Sequence, residues 1–354
     1  MMNKFKPHTI QERAQLLGEL VQTWLSTERP SLKNAITKTV EQGLFTAHDI
    51  QFALDHIKAS VGPESLQKWA LDKKQLKGFN PKSVLCLHAG NLPLVGFQDI
   101  IATLLSGHRY FGKLSRKDPF ILKDFLDFIQ EDNRFLVGKY STDLTDFSGL
   151  KTDVLLFSGS ESGSIEVENR LNEMEVINPK TKQLIRTAHA SVVWFEDALG
   201  GWESLAESIF RYEGRGCRSV AVIFTPNEPE DILERLRIEG EKFIQINPPL
   251  TPVSEEIRFR FAYNQAIERA SFNLGNMLIE VGNPSLKKDH VVTISRGSME
   301  DAREFIKQSG NAVQAFYSNI EGLIQTEPLS EAQTPPIYWK PDGVDPLEFL
   351  LNVD

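Results

Sequence analysis

Between residues 83 and 164, short strand-like runs alternate with turn clusters and helical stretches, and this alternation limits the chain to few architectures. Ser83-Val84-Leu85-Cys86-Leu87 is nearly continuous in apolar side chains, as a strand covered on both faces should be. It stops at the breaker cluster His88-Ala89-Gly90-Asn91-Leu92-Pro93. The pattern then predicts a helix over Phe97 to Leu105 closed by Gly107, a strand over Arg109 to Leu114, and a helix over Phe120 to Ile129. A third apolar strand, Asp153 to Phe157, runs into Ser158-Gly159-Ser160-Glu161-Ser162-Gly163-Ser164. Strand, loop, helix, strand at this pitch predicts right-handed βαβ units and a parallel sheet. Such a sheet offers ligands the carboxyl ends of its strands, where the clusters at 88–93, 115–118 and 158–164 fall.

Either side of this core the pattern changes. Residues 10 to 75 read as helices, one of them capped by Thr46. A second α/β stretch starts near 219, with strands predicted over Ser219 to Phe224, Val291 to Ile294 and Ala312 to Tyr317. Helices are predicted over Pro229 to Phe243 and Ser298 to Ile306, the latter capped by Ser298. Pro335-Pro336 and Pro341-Asp342-Gly343 predict an irregular tail over 326–354. With 354 residues, two domains are expected: 1–80 as a helical lead-in to the first, 81–212 as its body, and 213–325 as the second.

Charge and composition exclude several functions. Lys and Arg total 39 against 48 Asp and Glu, a formal charge of -9, with no basic run to hold nucleic acid or an anionic membrane. No apolar run approaches the length of an integral membrane segment. The N-terminal residues lack an apolar signal core, so a cytoplasmic enzyme is expected. Two cysteines exclude a disulfide scaffold and a CxxC zinc site, and the seven histidines show no metal-ligand spacing. No G-x-S-x-G elbow or Walker loop occurs.

Four places could carry chemistry. Cys217 stands in Gly214-Arg215-Gly216-Cys217-Arg218-Ser219, where flanking arginines would favour a thiolate; the alternative is a small buried side chain. That alternative is the expectation for Cys86, inside its apolar strand. Asn91 could donate to an oxyanion or serve only as a turn residue. The loop at Gly159 and Ser160 could cradle a phosphate at a helix N-terminus, although it does not match G-x-G-x-x-G. Lys113-Leu114-Ser115-Arg116-Lys117 could hold a ribose or phosphate, or be a solvated loop.

In this order, His88-Ala89-Gly90-Asn91-Leu92-Pro93-Leu94, Lys113-Leu114-Ser115, Phe157-Ser158-Gly159-Ser160 and Gly214-Arg215-Gly216-Cys217 resemble motifs of the aldehyde dehydrogenase superfamily. More narrowly, they are similar to acyl-CoA reductases related to the bacterial luciferase-linked fatty acid reductase. The resemblance, over roughly residues 80 to 320, implies a Rossmann-type cofactor domain and a second α/β catalytic domain. It implies Cys217 as nucleophile, Asn91 as oxyanion donor, Lys113 and Ser115 on the adenosine side of the cofactor, and Gly159 and Ser160 beneath its pyrophosphate. Hydrolytic members carry a glutamate that activates water; the matching stretch here, residues 184–195, holds no carboxylate. That absence favours reduction of an acyl-CoA to an aldehyde over oxidation to an acid. Arg116, where NAD-preferring relatives often have an acid, favours NADPH. The short chain leaves the subunit-bridging elements, and so a homo-oligomer, open. Rival readings are reduction of an acyl phosphate or an acyl carrier protein thioester, a cofactor-free Cys acyltransferase, and a non-catalytic scaffold.

Overall fold

The computed structural model describes residues 9–26, 29–73, 79–286 and 290–353. The chain divides into two compact units, Met1–Thr187 with Pro336–Asp354, and Ala188–Pro335. Four helices lead the first: α1 (Ile10–Ser26), α2 (Pro30–Glu41), α3 (Ala47–Ser60) and α4 (Pro63–Ala70). Thr46 caps α3 as expected: its hydroxyl accepts from the Asp49 N–H at 2.9 Å, and the Asp49 carboxylate accepts from the Thr46 N–H at 3.1 Å.

The rest of the unit alternates as the sequence predicts: β1 (Ser83–Leu87), α5 (Phe97–Ser106), β2 (Arg109–Lys113), α6 (Ile121–Asp132), β3 (Val137–Ser141), β4 (Val154–Ser158), α7 (Glu161–Glu173) and β5 (Lys182–Arg186). The strands pair in parallel in the order β3-β2-β1-β4-β5. Two of them, β3 and β5, have no counterpart in the sequence reading. Both are edge strands, and Lys-Gln-Leu-Ile-Arg in β5 shows the charge that blunts an edge and hides the apolar run. Helix α5 is buried along almost its whole length, packed between the sheet and α1. Its last carbonyls find a donor in a buried side chain from α1: Arg13 Nε donates to Leu105 O at 2.8 Å and Arg13 Nη2 to Ser106 O at 3.2 Å.

The second unit holds β6 (Ala190–Trp194), α8 (Trp202–Phe210), β7 (Val220–Thr225), α9 (Pro229–Ile246), α10 (Glu255–Ala266), β8 (Ser271–Leu274), β9 (Met277–Val281), β10 (Val291–Arg296), α11 (Met299–Ser309), β11 (Val313–Ser318) and the short β12 (Glu327–Pro328). Its sheet runs β12-β11-β6-β7-β10-β9-β8, parallel except for the β8–β9 hairpin. The division between units therefore falls at 187/188 and not near 212. The fully buried strand β6 pairs with β7 and β11, taking α8 with it, a choice of sheet that local pattern does not encode.

The tail also departs from the irregular chain expected over 326–354. From Pro336 it rejoins the first unit, where Gln98 Nε2 donates to the carbonyls of Ile337 and Trp339, both at 2.7 Å. It ends in α12 (Pro346–Leu351), capped by Asp345, with Leu347, Leu350 and Leu351 buried in the core that includes α5. Asp345 also accepts from Trp69 Nε1 at 3.0 Å and pairs with Lys73 at 2.7 Å. Because Leu347 is wholly buried there, Leu347→Ala is expected to destabilise the first unit by about 2–5 kcal/mol. Urea unfolding followed by circular dichroism checks this; a loss under about 1 kcal/mol would show the tail to be a loose appendage.

Candidate active site

In the first sheet, β2 and β3 extend to one side of β1, and β4 and β5 to the other. The carboxyl ends of β1 and β4 flank the point where strand order reverses, the place where open α/β sheets take ligands. Asn91 follows β1, Lys113 closes β2 with Ser115 and Arg116 beyond it, and Gly159 and Ser160 join β4 to α7. Six of the seven predicted site residues thus share one edge of one sheet. The loops there are fastened together. A methyl group on Gly90 would collide with the Ser115 side chain, so the loop after β1 lies directly against the loop after β2. The Leu94 N–H donates to Asp118 Oδ2 at 3.0 Å, holding Leu94 at φ 60°. Asn91 is exposed on this fastened loop.

The charged groups of this edge are partly committed. Burial, and then Arg116 nearby, lower the affinity of the half-buried Lys113 amine for its proton. Arg116 is exposed and lies 3.8 Å from Asp143. Ser115 Oγ accepts from the Lys117 N–H at 3.1 Å. The Gly159 N–H donates to Arg186 O at 3.1 Å, so that amide is not available to an anion. Ser160 caps α7 by accepting from the Gly163 N–H at 3.1 Å, and Glu161 puts a negative charge in the same first turn. The strand order and the cationic loop after β2 fit a dinucleotide; the Gly159 amide and Glu161 do not add to a pyrophosphate cradle.

Behind this edge, the polar side chains are structural. Cys86 is fully buried and 3.7 Å from Thr103 Oγ1, as expected of a packing residue, and burial pushes its thiol up. His88 Nε2 lies 2.8 Å from the Tyr110 hydroxyl; burial lowers its pKa to about 4, so the ring is neutral at pH 7. Arg186 and Asp99, both buried, pair at 2.5 Å. Arg186 stands in the stretch that lacks an acid of its own. Besides Asp99, two other carboxylates reach this stretch: Asp342 Oδ2, from the tail, accepts from the Thr187 N–H at 3.2 Å, and Glu196 Oε1 accepts from Trp194 Nε1 at 3.0 Å.

Cys217 belongs to the second unit, just ahead of β7, and is half-buried. Three consecutive residues before it, Tyr212, Glu213 and Gly214, are left-handed at φ 55°, 56° and 70°. For the two residues with side chains, that conformation costs about 1–3 kcal/mol each unless neighbours impose it. Here they do. The Glu213 carboxylate accepts from the N–H groups of Leu250 and Thr251, both at 3.2 Å, and His290 Nδ1 donates to the Glu213 carbonyl at 3.1 Å. Arg215 Nε donates to Tyr212 O at 2.8 Å. Beyond them the Ser219 N–H closes a turn onto Gly216 O at 2.9 Å, and Ser191 Oγ donates to Cys217 O at 3.0 Å. The flanking arginines have other partners: Arg215 Nη2 is 3.4 Å from Glu213, and Arg218 donates to the carbonyls of Ala332 and Glu331 at 2.7 and 2.6 Å.

No family model matches the sequence, and no curated protein is significantly similar to it. Solved structures do resemble its fold. An oxidoreductase from Marinobacter aquaeolei superposes with a TM-score of 0.63 at 12% identity, over 90% of this chain and 75% of that one. The aldehyde dehydrogenase KauB from Pseudomonas aeruginosa gives 0.62 at 14%, over 93% and 74%. A Mycobacterium tuberculosis aldehyde dehydrogenase complexed with NAD+ gives 0.60 at 15%, over 94% and 77%. The fold is aldehyde dehydrogenase-like.

Asp118 is the residue of this edge that sequence reasoning missed, because Arg116-Lys117-Asp118-Pro119 reads as a solvated turn. It is 2% exposed, and burial raises its pKa from 3.8 to about 6. Between those values the folded chain holds a proton that the unfolded chain releases, so this group lowers stability as pH rises from about 4 to about 6. Asp118→Asn keeps an oxygen for the Leu94 N–H and removes the titration. The variant is expected to gain stability relative to the parent as pH rises through that window, read from urea midpoints at pH 4 and pH 7. An equal gap at both pH values would show that Asp118 titrates normally.

Proposed function

We propose that the chain is an NADPH-dependent reductase that converts an acyl-CoA thioester to an aldehyde through a covalent acyl-Cys217. The observation carrying this reading is the placement of Cys217, in an aldehyde dehydrogenase-like fold, on a turn whose preceding backbone is held left-handed at three successive residues. In this reading the Cys217 thiolate attacks the thioester carbonyl carbon. A new C–S bond forms, and CoA leaves as a thiolate with the electron pair of the bond that breaks. The Cys217 N–H would donate to the oxyanion formed in that step, with the Asn91 amide as the second donor that the resemblance implies. The exchange of one thioester for another is nearly thermoneutral, so orientation and oxyanion binding can supply most of the acceleration. The absence of a carboxylate from 184–195, with Asp342 committed to the Thr187 N–H, supports an acyl-enzyme that water attacks slowly.

NADPH, when bound, supplies the hydride that reduces the acyl group. Lys113, Ser115 and Arg116 would hold its adenosine ribose, with Arg116 exchanging Asp143 for the 2′-phosphate. Gly159 and Ser160 would lie beneath the pyrophosphate as a close backbone surface only, since the Gly159 amide is bonded to Arg186 O and does not donate to it. A second reading, acyl transfer by Cys217 without a nicotinamide, is favoured by one observation: the Gly159 amide is bonded to Arg186 O, and Glu161 sits in the first turn of α7.

Incubation with labelled acyl-CoA, followed by peptide mass spectrometry, is expected to find the acyl group on Cys217, with NADPH discharging it as aldehyde. Cys217→Ala is expected to abolish labelling and reduction, and a fully active Cys217→Ala enzyme would end the proposal. Asn91→Ala is expected to slow acylation by about 2.7–4 kcal/mol; a loss below tenfold would make Asn91 a turn residue only. An acyl-enzyme that forms in a protein giving no fluorescence change on NADPH titration would establish the second reading.

A further inference from the structure

The peptide units on either side of the Cys217 Cα are both pinned. The Gly216 carbonyl accepts from the Ser219 N–H at 2.9 Å, and because a trans peptide sets its N–H opposite its C=O, the Cys217 N–H is turned away from that bond. The Cys217 carbonyl accepts from Ser191 Oγ at 3.0 Å. With both planes fixed, the backbone of Cys217 is set, and χ1 alone places its sulfur.

The second pin comes from a strand of the sheet. Ser191 is wholly buried in β6, where Ala190, Val192, Val193 and Trp194 are buried and apolar. A hydroxyl there lowers stability unless it is bonded, and Ala or Val would serve packing as well. Its bond goes to the main chain of Cys217. The Ser191 N–H also donates to Ser219 O at 3.0 Å, so one residue grips the turn on both sides of Arg218. Beyond it the pairing of β6 with β7 shifts. Ser191 faces Val220 but Val192 faces Val222, which leaves Ala221 as the extra residue of a bulge. A bulge re-aims the strand that carries it, here the start of β7 and with it the turn that Ser191 holds.

We infer, on the reading of Cys217 as the acylated nucleophile, that Ser191 is its positioning residue: acting through the Cys217 carbonyl, the hydroxyl holds the sulfur in the direction from which it attacks the acyl carbon. In that step the Sγ–acyl bond forms as the C–S bond to CoA breaks, and a displacement of about 1 Å at the attacking atom can cost on the order of a hundredfold.

Single-turnover acylation of Cys217 by labelled acyl-CoA and alkylation of the same thiol by iodoacetamide, both in the full chain, test this together. Ser191→Ala is expected to lower the maximal acylation rate about tenfold or more, while the acyl-CoA concentration giving half that rate changes by less than about twofold. Alkylation depends on access and not on direction, so it is expected to quicken about threefold or more as the half-buried thiol is released. Thr and Val share a branched shape and differ by one hydroxyl. Ser191→Thr should therefore acylate about tenfold faster than Ser191→Val, whatever crowding the added methyl group brings. Acylation of Ser191→Ala within about twofold of the parent, a loss confined to the half-saturating concentration, or equal rates in the Thr and Val variants would overturn the inference. A parent protein that acyl-CoA does not label ends the reading of Cys217 instead. The hold of Ser191 is then judged by alkylation, where an unchanged rate in Ser191→Ala overturns it as well.

Discussion

Strand β1 pairs in parallel with β2 on one side and β4 on the other, and all five strands of that sheet point the same way. Parallel strands need crossovers, and the crossovers cover both faces, so β1 can be almost wholly apolar. The same geometry delivers the chain to one edge after β1, β2 and β4. Asn91, Lys113, Ser115, Arg116, Gly159 and Ser160 share that edge because of strand polarity, whatever their individual roles.

Around this sheet, the interior uses buried charge to finish helix and loop ends. Arg13 supplies donors to the last carbonyls of α5, Asp99 in the first turn of the same helix meets Arg186 from β5, and Asp118 receives the Leu94 N–H. Arg13 and Asp118 bond main-chain groups that lack other partners, and Asp99 and Arg186 offset each other's charge, which in each case compensates part of the desolvation. The arrangement also restricts chemistry. An amide bound to Arg186 O cannot bind a phosphate, and His88, buried, bonded to Tyr110 and with its proton affinity lowered, is a weak base at pH 7.

The turn before Cys217 depends on similar compensation in the second unit. Left-handed Tyr212 and Glu213 are held through Arg215, His290 and the N–H groups of Leu250 and Thr251, contributed by three separate segments. A cysteine that served only to fill space would need no such framework; Cys86, on a plain strand, has none. The two cysteines thus stand in unlike settings, one packed within a strand and one at the end of a held turn.

Period, turn formers and caps were enough to place β1, α5, β2, α6, β4, β7, β10 and α11 close to their observed bounds, because each is encoded within its own segment: the apolar run of 83–87, or the hydroxyl of Ser298 ahead of α11. Cys86 as packing and Cys217 as a loop residue were equally legible. The sequence hid whatever rests on distant partners. It gave no sign that Ala190–Trp194 would join the second sheet, since a strand buried on both faces looks the same in either. Nor could Asp118, read as a solvated turn residue, reveal the Leu94 N–H above it, or Asp345 its Trp69 partner. Local chemistry chose the elements; pairing between residues far apart in the chain, where burial and unsatisfied main-chain groups decide, chose their sheet, their neighbours and the protonation of their side chains.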